Sequence, residues 1–302
     1  MLQMTLSDSL AALPIELRPP AAFEIRRATS GATRTPLVYA SPHSGRHYPG
    51  DMGSSLAGLA LRQSEDALVD ELVAAAPELG VTLISAQFAR AYMDVNREAF
   101  DLDPAMFADK LPPFAQGRSA RVAAGLGAIA RLVAQGQEIY DRKLTFAEAL
   151  GRIDRVHTPY HAGLEQLLAE ARAAHGFAIL IDWHSMPAAA ARTSGRENNC
   201  DLVLGDRYGS ACGGVVMKIV EQELQSLGYR VSRNTPYAGG FTTEHYGRPA
   251  QGRHALQIEI NRGLYLDEAR LTPTPGFSKL KADLEHLTRH LAAETWDGLR
   301  TP

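Results

Sequence analysis

Residues 177–186 read FAILIDWHSM, and no other stretch constrains the fold as strongly. Five consecutive apolar residues, Phe177 to Ile181, match a central strand covered on both faces, as in sheets flanked by helices. The run stops abruptly in Asp182, Trp183, His184 and Ser185, so the strand that builds the core also carries polar groups to its end. Six more short apolar segments read as strands: PLVYAS (36–41), VTLISAQ (81–87), AYMDV (91–95), DLVLG (201–205), YRVSR (229–233) and ALQIEI (255–260). Helical periodicity falls between them at 64–79, 119–150, 152–175, 212–227 and 276–297. Alternation of this kind predicts an α/β fold, a single domain over 1–302 with a central mixed, mostly parallel sheet flanked by helices. At 302 residues one or two domains are possible. No repeat or low-complexity linker divides the chain, which favours one.

Three of these strands end in polar clusters. PLVYAS runs into PHSGRHYP and brings His43; FAILI brings His184; ALQI brings Glu259. Ligands of open α/β sheets bind at the carboxyl ends of strands. Strand residues two apart share a face, so Asp182 and His184 point the same way, as do Gln257, Glu259 and Asn261. Burying Glu259 is costly unless it is paired or functional. Imidazoles suit zinc, and a catalytic zinc takes three protein ligands plus a water, so His43 and His184 are candidate ligands. Glu65 and Asp66, in SEDALVDEL, can each supply a third. Acids in a first helical turn also stabilise the helix dipole without any metal. His157 and His161 have the i, i+4 spacing of a helical zinc site, but Pro159 lies between them and no Glu follows the first. His161 therefore reads as structural or substrate-contacting, and His157 as incidental. Arg90, Arg97 and Arg248 fall near strand ends or in polar loops and suit carboxylates, whereas Arg262 reads as solvated.

Composition narrows the partners. Lys and Arg number 31 against 34 Asp and Glu, a formal charge of −3, which argues against nucleic acid and leaves a small anionic substrate. Cys200 and Cys212 can make at most one disulfide. The first twenty residues make a poor secretory signal, and no apolar stretch reaches membrane-spanning length. A cytoplasmic protein is the expectation. The glycine pairs at 213–214 and 239–240 are not a dinucleotide fingerprint. Neither PHSG nor WHSM is a nucleophile elbow. Segments 101–120, 186–200 and 234–253 read as long loops that shape a site.

Taken in order, SPHSGRHYP, the SED helix start, RAYMDVNR, TPYH, DWHSMP, GGFTTEHYGRP and HALQIEINRGLYLDE resemble the N-formylglutamate amidohydrolase (deformylase) family of histidine degradation. The resemblance spans about residues 36–268, with a C-terminal helix at 276–297 beyond it. That family is similar to zinc carboxypeptidases and aspartoacylases. It implies a zinc-carboxypeptidase-like (phosphorylase/hydrolase-like) fold and one zinc per chain. By that likeness His184 is a ligand and Asn96 with Arg97 holds a substrate carboxylate. The carboxypeptidase H-x-x-E pair is absent, because Arg46 stands three residues after His43; Asp66, or Glu65, takes its place. The expected site is then His43, Asp66 and His184 on zinc, Glu259 as base, and His245 or Arg248 as oxyanion donor. Arg97 with Arg90 or Arg248 clamps the substrate, and Asp182 orients His184. The expected reaction is hydrolysis of N-formyl-L-glutamate. Another N-acyl amino acid or peptide, or non-catalytic dicarboxylate binding, are the alternatives.

Overall fold

The computed structural model describes residues 20–29, 31–32, 34–133, 136–192 and 200–299. The stretch 1–19, read above as a poor secretory signal, and residues 193–199 of the 186–200 loop lie outside them. Seven strands, β1 (Phe23–Arg26), β2 (Leu37–Ser41), β3 (Thr82–Ala86), β4 (Ala178–Met186), β5 (Leu202–Gly205), β6 (Val231–Arg233) and β7 (Arg253–Asn261), form one sheet in the order β1-β3-β2-β4-β7-β5-β6. The pairs β2–β3, β2–β4, β4–β7 and β5–β6 are parallel, while β1–β3 and β5–β7 are antiparallel. The sheet is therefore mixed and mostly parallel, with β4 in the middle.

The helices are α1 (Gly58–Arg62), α2 (Val69–Leu72), α3 (Ala120–Ala123), α4 (Phe146–Arg152), α5 (Thr158–His175), α6 (Gly214–Ser226), α7 (Phe241–Tyr246) and α8 (Gly276–Ala293). Strand parity sorts the core between the two faces. Ile179, Ile181, Trp183, Leu256, Ile258 and Ile260 pack with Val216 and Val220 of α6 and with Leu280, Leu284, Leu287 and Leu291 of α8. The α8 leucines recur at the i, i+4, i+7, i+11 spacing of a single helical stripe. Leu180 and Ala255 face the other way, against Tyr160, Leu164, Leu167 and Leu168 of α5. Continuing along that face, Asp182 and His184 follow Leu180, and Gln257 and Glu259 follow Ala255. The polar residues thus extend the α5 side of the core toward the carboxyl ends of the two central strands.

Several segments differ from expectation. AYMDV (91–95) is a run of turns rather than a strand, and it joins no sheet. Its backbone is tied outside the sheet instead, with Asp94 N–H donating to Ala128 O at 2.8 Å. The 119–150 periodicity yields α3 and the start of α4 but no long helix, because Gly125 and Gly136 take left-handed conformations (φ 77° and 74°). The 64–79 stretch breaks into α2 and a 3-10 turn at Ala76–Leu79 with Pro77 as its second residue. Loop 234–253 contains α7. β1, a short edge strand with alternating Glu24 and Arg26, was not apparent in the sequence. No helix among the described residues is long and apolar enough to cross a membrane.

Candidate active site

His43 and Asp66 come from two loops stitched together by backbone. Asp66 N–H donates to His43 O at 3.0 Å, and Ser44 Oγ donates to Asp66 O at 3.2 Å. Gly45 is required in the first loop, since a Cβ there would lie 2.2 Å from Phe88 O. Asp66 lies in the turn before α2, which begins only at Val69. It is thus not in a first helical turn, and the dipole explanation for it falls away.

Three buried donor atoms converge. His43 Nδ1 and His184 Nδ1 are 3.1 Å apart, and Asp66 Oδ2 is 3.3 Å from the first and 3.1 Å from the second. A tetrahedral ion with bonds of about 2.0–2.1 Å spaces its ligands by roughly 3.3 Å, so the trio fits one small cation. Among the described residues it is the group with metal-ligand spacing. The outer atoms are arranged to suit. His43 Nε2 donates to Asp94 Oδ1 at 2.7 Å, leaving the Nδ1 lone pair directed inward. Asp66 Oδ1 is taken by Arg262 Nη2 at 3.0 Å and Ser185 Oγ at 3.3 Å, so Oδ2 is the atom presented to the histidines. Asp182 Oδ2 lies 3.0 Å from His184 Nε2, at ion-pair distance, though among the described residues neither Asp182 oxygen has a hydrogen-bond donor. Asn96 Nδ2 lies 3.0 Å from the same ring nitrogen, and Thr242 N–H donates to Asn96 Oδ1 at 2.8 Å.

The electrostatics favour a cation. Asp66, Asp94, Asp182 and Glu259 are all buried here. Burial opposes a charged imidazole, yet Asp182, Asp66 and Glu259 outweigh it and hold the His184 pKa well above its usual range. Burial would raise Asp66, but His184 and His43 hold it well below the carboxylate range. A divalent ion is stabilised by the same field.

Glu259 is paired with His184 across β4–β7, on the same face of the sheet. Gln257 Nε2 donates to its Oε1 at 2.8 Å, and among the described residues its Oε2 has no hydrogen bond. Burial pushes its carboxyl up to about 7, with Asp66 adding to the rise and His184 and Arg90 opposing it. Gly240 N–H donates to Gln257 Oε1 at 2.7 Å, and a Cβ on Gly240 would meet the Asn96 amide at 2.5 Å. The Gly239–Gly240 turn is therefore what lets α7 close against Asn96.

The structure brings together His43, Asp66, His184, Glu259, Asn96, Arg90 and Arg97, and sets others apart. Glu65 points away, held by Tyr48 Oη at 2.8 Å and Arg62 at 3.0 Å. Arg90 Nη2 donates to Asp94 Oδ2 at 2.6 Å, and its charge is felt at Asp66 and Glu259. Arg97 Nε donates to Leu126 O at 2.9 Å and Nη1 to Asn96 O at 2.8 Å; Nη2 has only a long 3.9 Å approach to Asp94. Burial lowers its pKa to about 10. Arg248 does not belong to the cluster. Its N–H donates to Arg253 O at the start of β7, roughly 20 Å of strand from Glu259 at about 3.3 Å per residue. Its Nη1 caps Gly247 O at 2.7 Å. His245 is exposed in the last turn of α7 and packs on Phe241 at 5.0 Å between ring centroids. Only the first turn of α7 touches the site, so the oxyanion role expected of His245 has no geometric support. His161 spends both ring nitrogens, Nε2 on Val95 O and Nδ1 with Tyr246 Oη, each at 2.8 Å. His157 is not incidental: it is buried and its Nε2 donates to Arg97 O at 2.9 Å.

Two partners were missed in the sequence. Asp94 orients His43, and an acid inside the apolar stretch AYMDV just before Asn96 and Arg97 was the available signal. Arg262 is buried on Asp66, Ser185 and Glu65 O rather than solvated, as its position directly after the polar face of β7 allowed.

Fold and site together define an α/β protein with a candidate metal site of two histidines and one aspartate at the carboxyl ends of its central strands. Residues 35–266 match the family model of N-formylglutamate amidohydrolase, and the chain belongs to that family. It is 40% identical to N-formylglutamate amidohydrolase from Ralstonia eutropha JMP134, whose crystal structure aligns with a TM-score of 0.85 over 90% of this chain and 98% of that one. It is also 27% identical to N-formylglutamate deformylase of Pseudomonas aeruginosa, over 88% of this chain and 93% of that protein. Identity to the enzyme of the same name from Pseudomonas putida is 26%, over 78% and 83%.

Proposed function

We propose that this chain is a zinc-dependent deformylase that hydrolyses N-formyl-L-glutamate to formate and L-glutamate in the cytoplasm. The observation that carries the reading is the convergence of His43 Nδ1, His184 Nδ1 and Asp66 Oδ2 within 3.3 Å, beside an inward Glu259. Relatives that share most of its length bear the deformylase name. When bound by this trio, zinc supplies a Lewis acid for the formyl carbonyl and a water of lowered pKa.

The remaining chemistry belongs to the chain. Glu259, with Oε2 unpaired among the described residues and a carboxyl raised to about 7, takes a proton from the attacking water and passes it to the amide nitrogen as the C–N bond breaks. Arg90, whose charge reaches both Asp66 and Glu259, meets the negative charge developing on the former carbonyl oxygen. Arg97 offers Nη2 to the substrate α-carboxylate while its other nitrogens stay on backbone carbonyls, which fixes its direction.

The test is formate release by the purified protein from N-formyl-L-glutamate, compared with N-acetyl-L-glutamate and N-formyl-L-aspartate. The expected result is formate and L-glutamate in equal amounts, with N-formyl-L-glutamate the best substrate. Preference for a different acyl group would move the reading to another deacylase, and no turnover of any would contradict it.

A further inference from the structure

We infer that Arg121 sits beside Arg97 as the residue that reads a second, side-chain carboxylate and so restricts the site to N-acyl derivatives of acidic amino acids; this rests on the deformylase reading above. Arg121 lies on α3, whose surroundings are built onto the catalytic segment. Ser119 Oγ accepts from Val122 N–H at 3.1 Å and donates to Asp101 Oδ2 at 2.6 Å, capping α3 and fixing its start. Farther along, Leu126 O accepts from Arg97 Nε at 2.9 Å and Ala128 O from Asp94 N–H at 2.8 Å. The loop is packed tightly as well, since a Cβ at Gly127 would lie 2.5 Å from Asp101 O. Segment 119–128 thus forms one wall beside Asn96 and Arg97, and the Gly239–Gly240 turn forms the opposite wall.

The Arg121 side chain reaches across this gap. Its Nη2 is 3.5 Å from Gly239 O, one residue from the glycine that seats the Asn96 amide. That weak contact is its hydrogen bond within the protein, and no carboxylate lies within ion-pair distance of it among the described residues. It is half-buried, and its charge weighs directly against that of Arg97. The charges of Arg97 and Arg121 oppose each other; Asp94, at a long 3.9 Å, and the charge of Asp101 offset that of Arg97, whereas Arg121 has no carboxylate within ion-pair distance among the described residues. Arg90, whose charge also opposes that of Arg97, is already paired with Asp94 at 2.6 Å. An anion with two carboxylates separated by a short carbon chain satisfies both forks, whereas a monocarboxylate leaves Arg121 uncompensated. Arg248, on the other end of β7, has no such access.

The experiment compares kcat/KM for N-formyl-L-glutamate and N-formyl-L-glutamine in the metal-loaded wild type, R121Q, R121K and R97Q, with calorimetric binding of L-glutamate and L-glutamine alongside. For R121Q the glutamate-to-glutamine ratio of kcat/KM is expected to fall about 10- to 100-fold, chiefly through KM, and L-glutamate binding to weaken to match. R121K should recover part of the ratio, because it restores the charge without the fork. R97Q should damage both substrates alike. An unchanged ratio in R121Q, or equal losses on both substrates, overturns the proposal while leaving the deformylase reading intact. Arg121-dependent binding of L-glutamate without turnover by the wild type would sustain the carboxylate site and overturn the deformylase reading. Neither binding nor turnover would overturn both.

Discussion

The carboxyl edge of the sheet and the start of α5 each hold a pair of buried or half-buried histidines, and the two pairs do opposite work. His43 and His184 are 141 residues apart, yet their Nδ1 atoms lie 3.1 Å from each other and share Asp66. His157 and His161 stand one helical turn apart with ring centroids at 4.3 Å, the spacing of a helical metal site. Their bonds go to the carbonyls of Arg97 and Val95, on either side of Asn96. The difference lies in the second nitrogen of each ring. At the sheet edge the outer nitrogen of His43 meets a carboxylate and that of His184 lies beside one, and the inner nitrogens are left for a ligand. On α5 both nitrogens of His161 are used up, Nε2 in fastening the segment that carries Asp94, Asn96 and Arg97 and Nδ1 on Tyr246 of α7.

The comparison predicts its own breaking points. His184→Ala is expected to abolish both metal binding and formate release, read by elemental analysis and by turnover; retained metal would show that the trio is not the site. Glu259→Gln should keep the metal and lower kcat by about 10²–10⁴-fold. Glu259 must be ionised to accept a proton, so activity should be present above its pKa and fall as pH drops through it. A bound cation favours the carboxylate, which places this acid limb at or below pH 7, from a metal-free value of about 7. The pH profile of kcat/KM measures the limb, and an identical limb in the residual activity of Glu259→Gln would assign it elsewhere. Asp94→Asn, which weakens the acceptor behind His43, should reduce metal affinity by about 10–100-fold in a competition titration with a chelator. His161→Phe should show the smallest chemical effect. Losing the donor to Val95 O is expected to cost about 1–3 kcal/mol in denaturant unfolding while metal content stays unchanged. Metal loss in that variant would erase the distinction between the two pairs.

Parity along two strands made much of this legible in the sequence. Asp182 with His184, and Gln257 with Glu259, do share the face toward α5, and the register His184 opposite Glu259 follows from the parallel β4–β7 pair. His43 and His184 are legible as ligands at strand ends, whereas the sequence leaves the third ligand open between Asp66 and Glu65. Local pattern failed where tertiary contacts replace ladders. AYMDV looks like a strand because its residues are buried, but Ala128 O takes the Asp94 N–H and His161 Nε2 donates to Val95 O, in place of a neighbouring strand. The burial of Arg262 is not legible in the sequence, because a guanidinium after a strand says nothing by itself about Asp66, 196 residues earlier. Arg248 and His245 were placed by loop composition alone, which does not reveal that α7 touches the site by its first turn and leads away from it.

His43, Asp66 and His184 are proposed to hold a catalytic zinc. The most direct test is zinc content of the purified protein together with formate release from N-formyl-L-glutamate, before chelation, after it, and after zinc is returned. About one zinc per chain, loss of formate release on chelation and recovery with the metal are the expected results. Full formate release from protein stripped of metal would contradict the proposal.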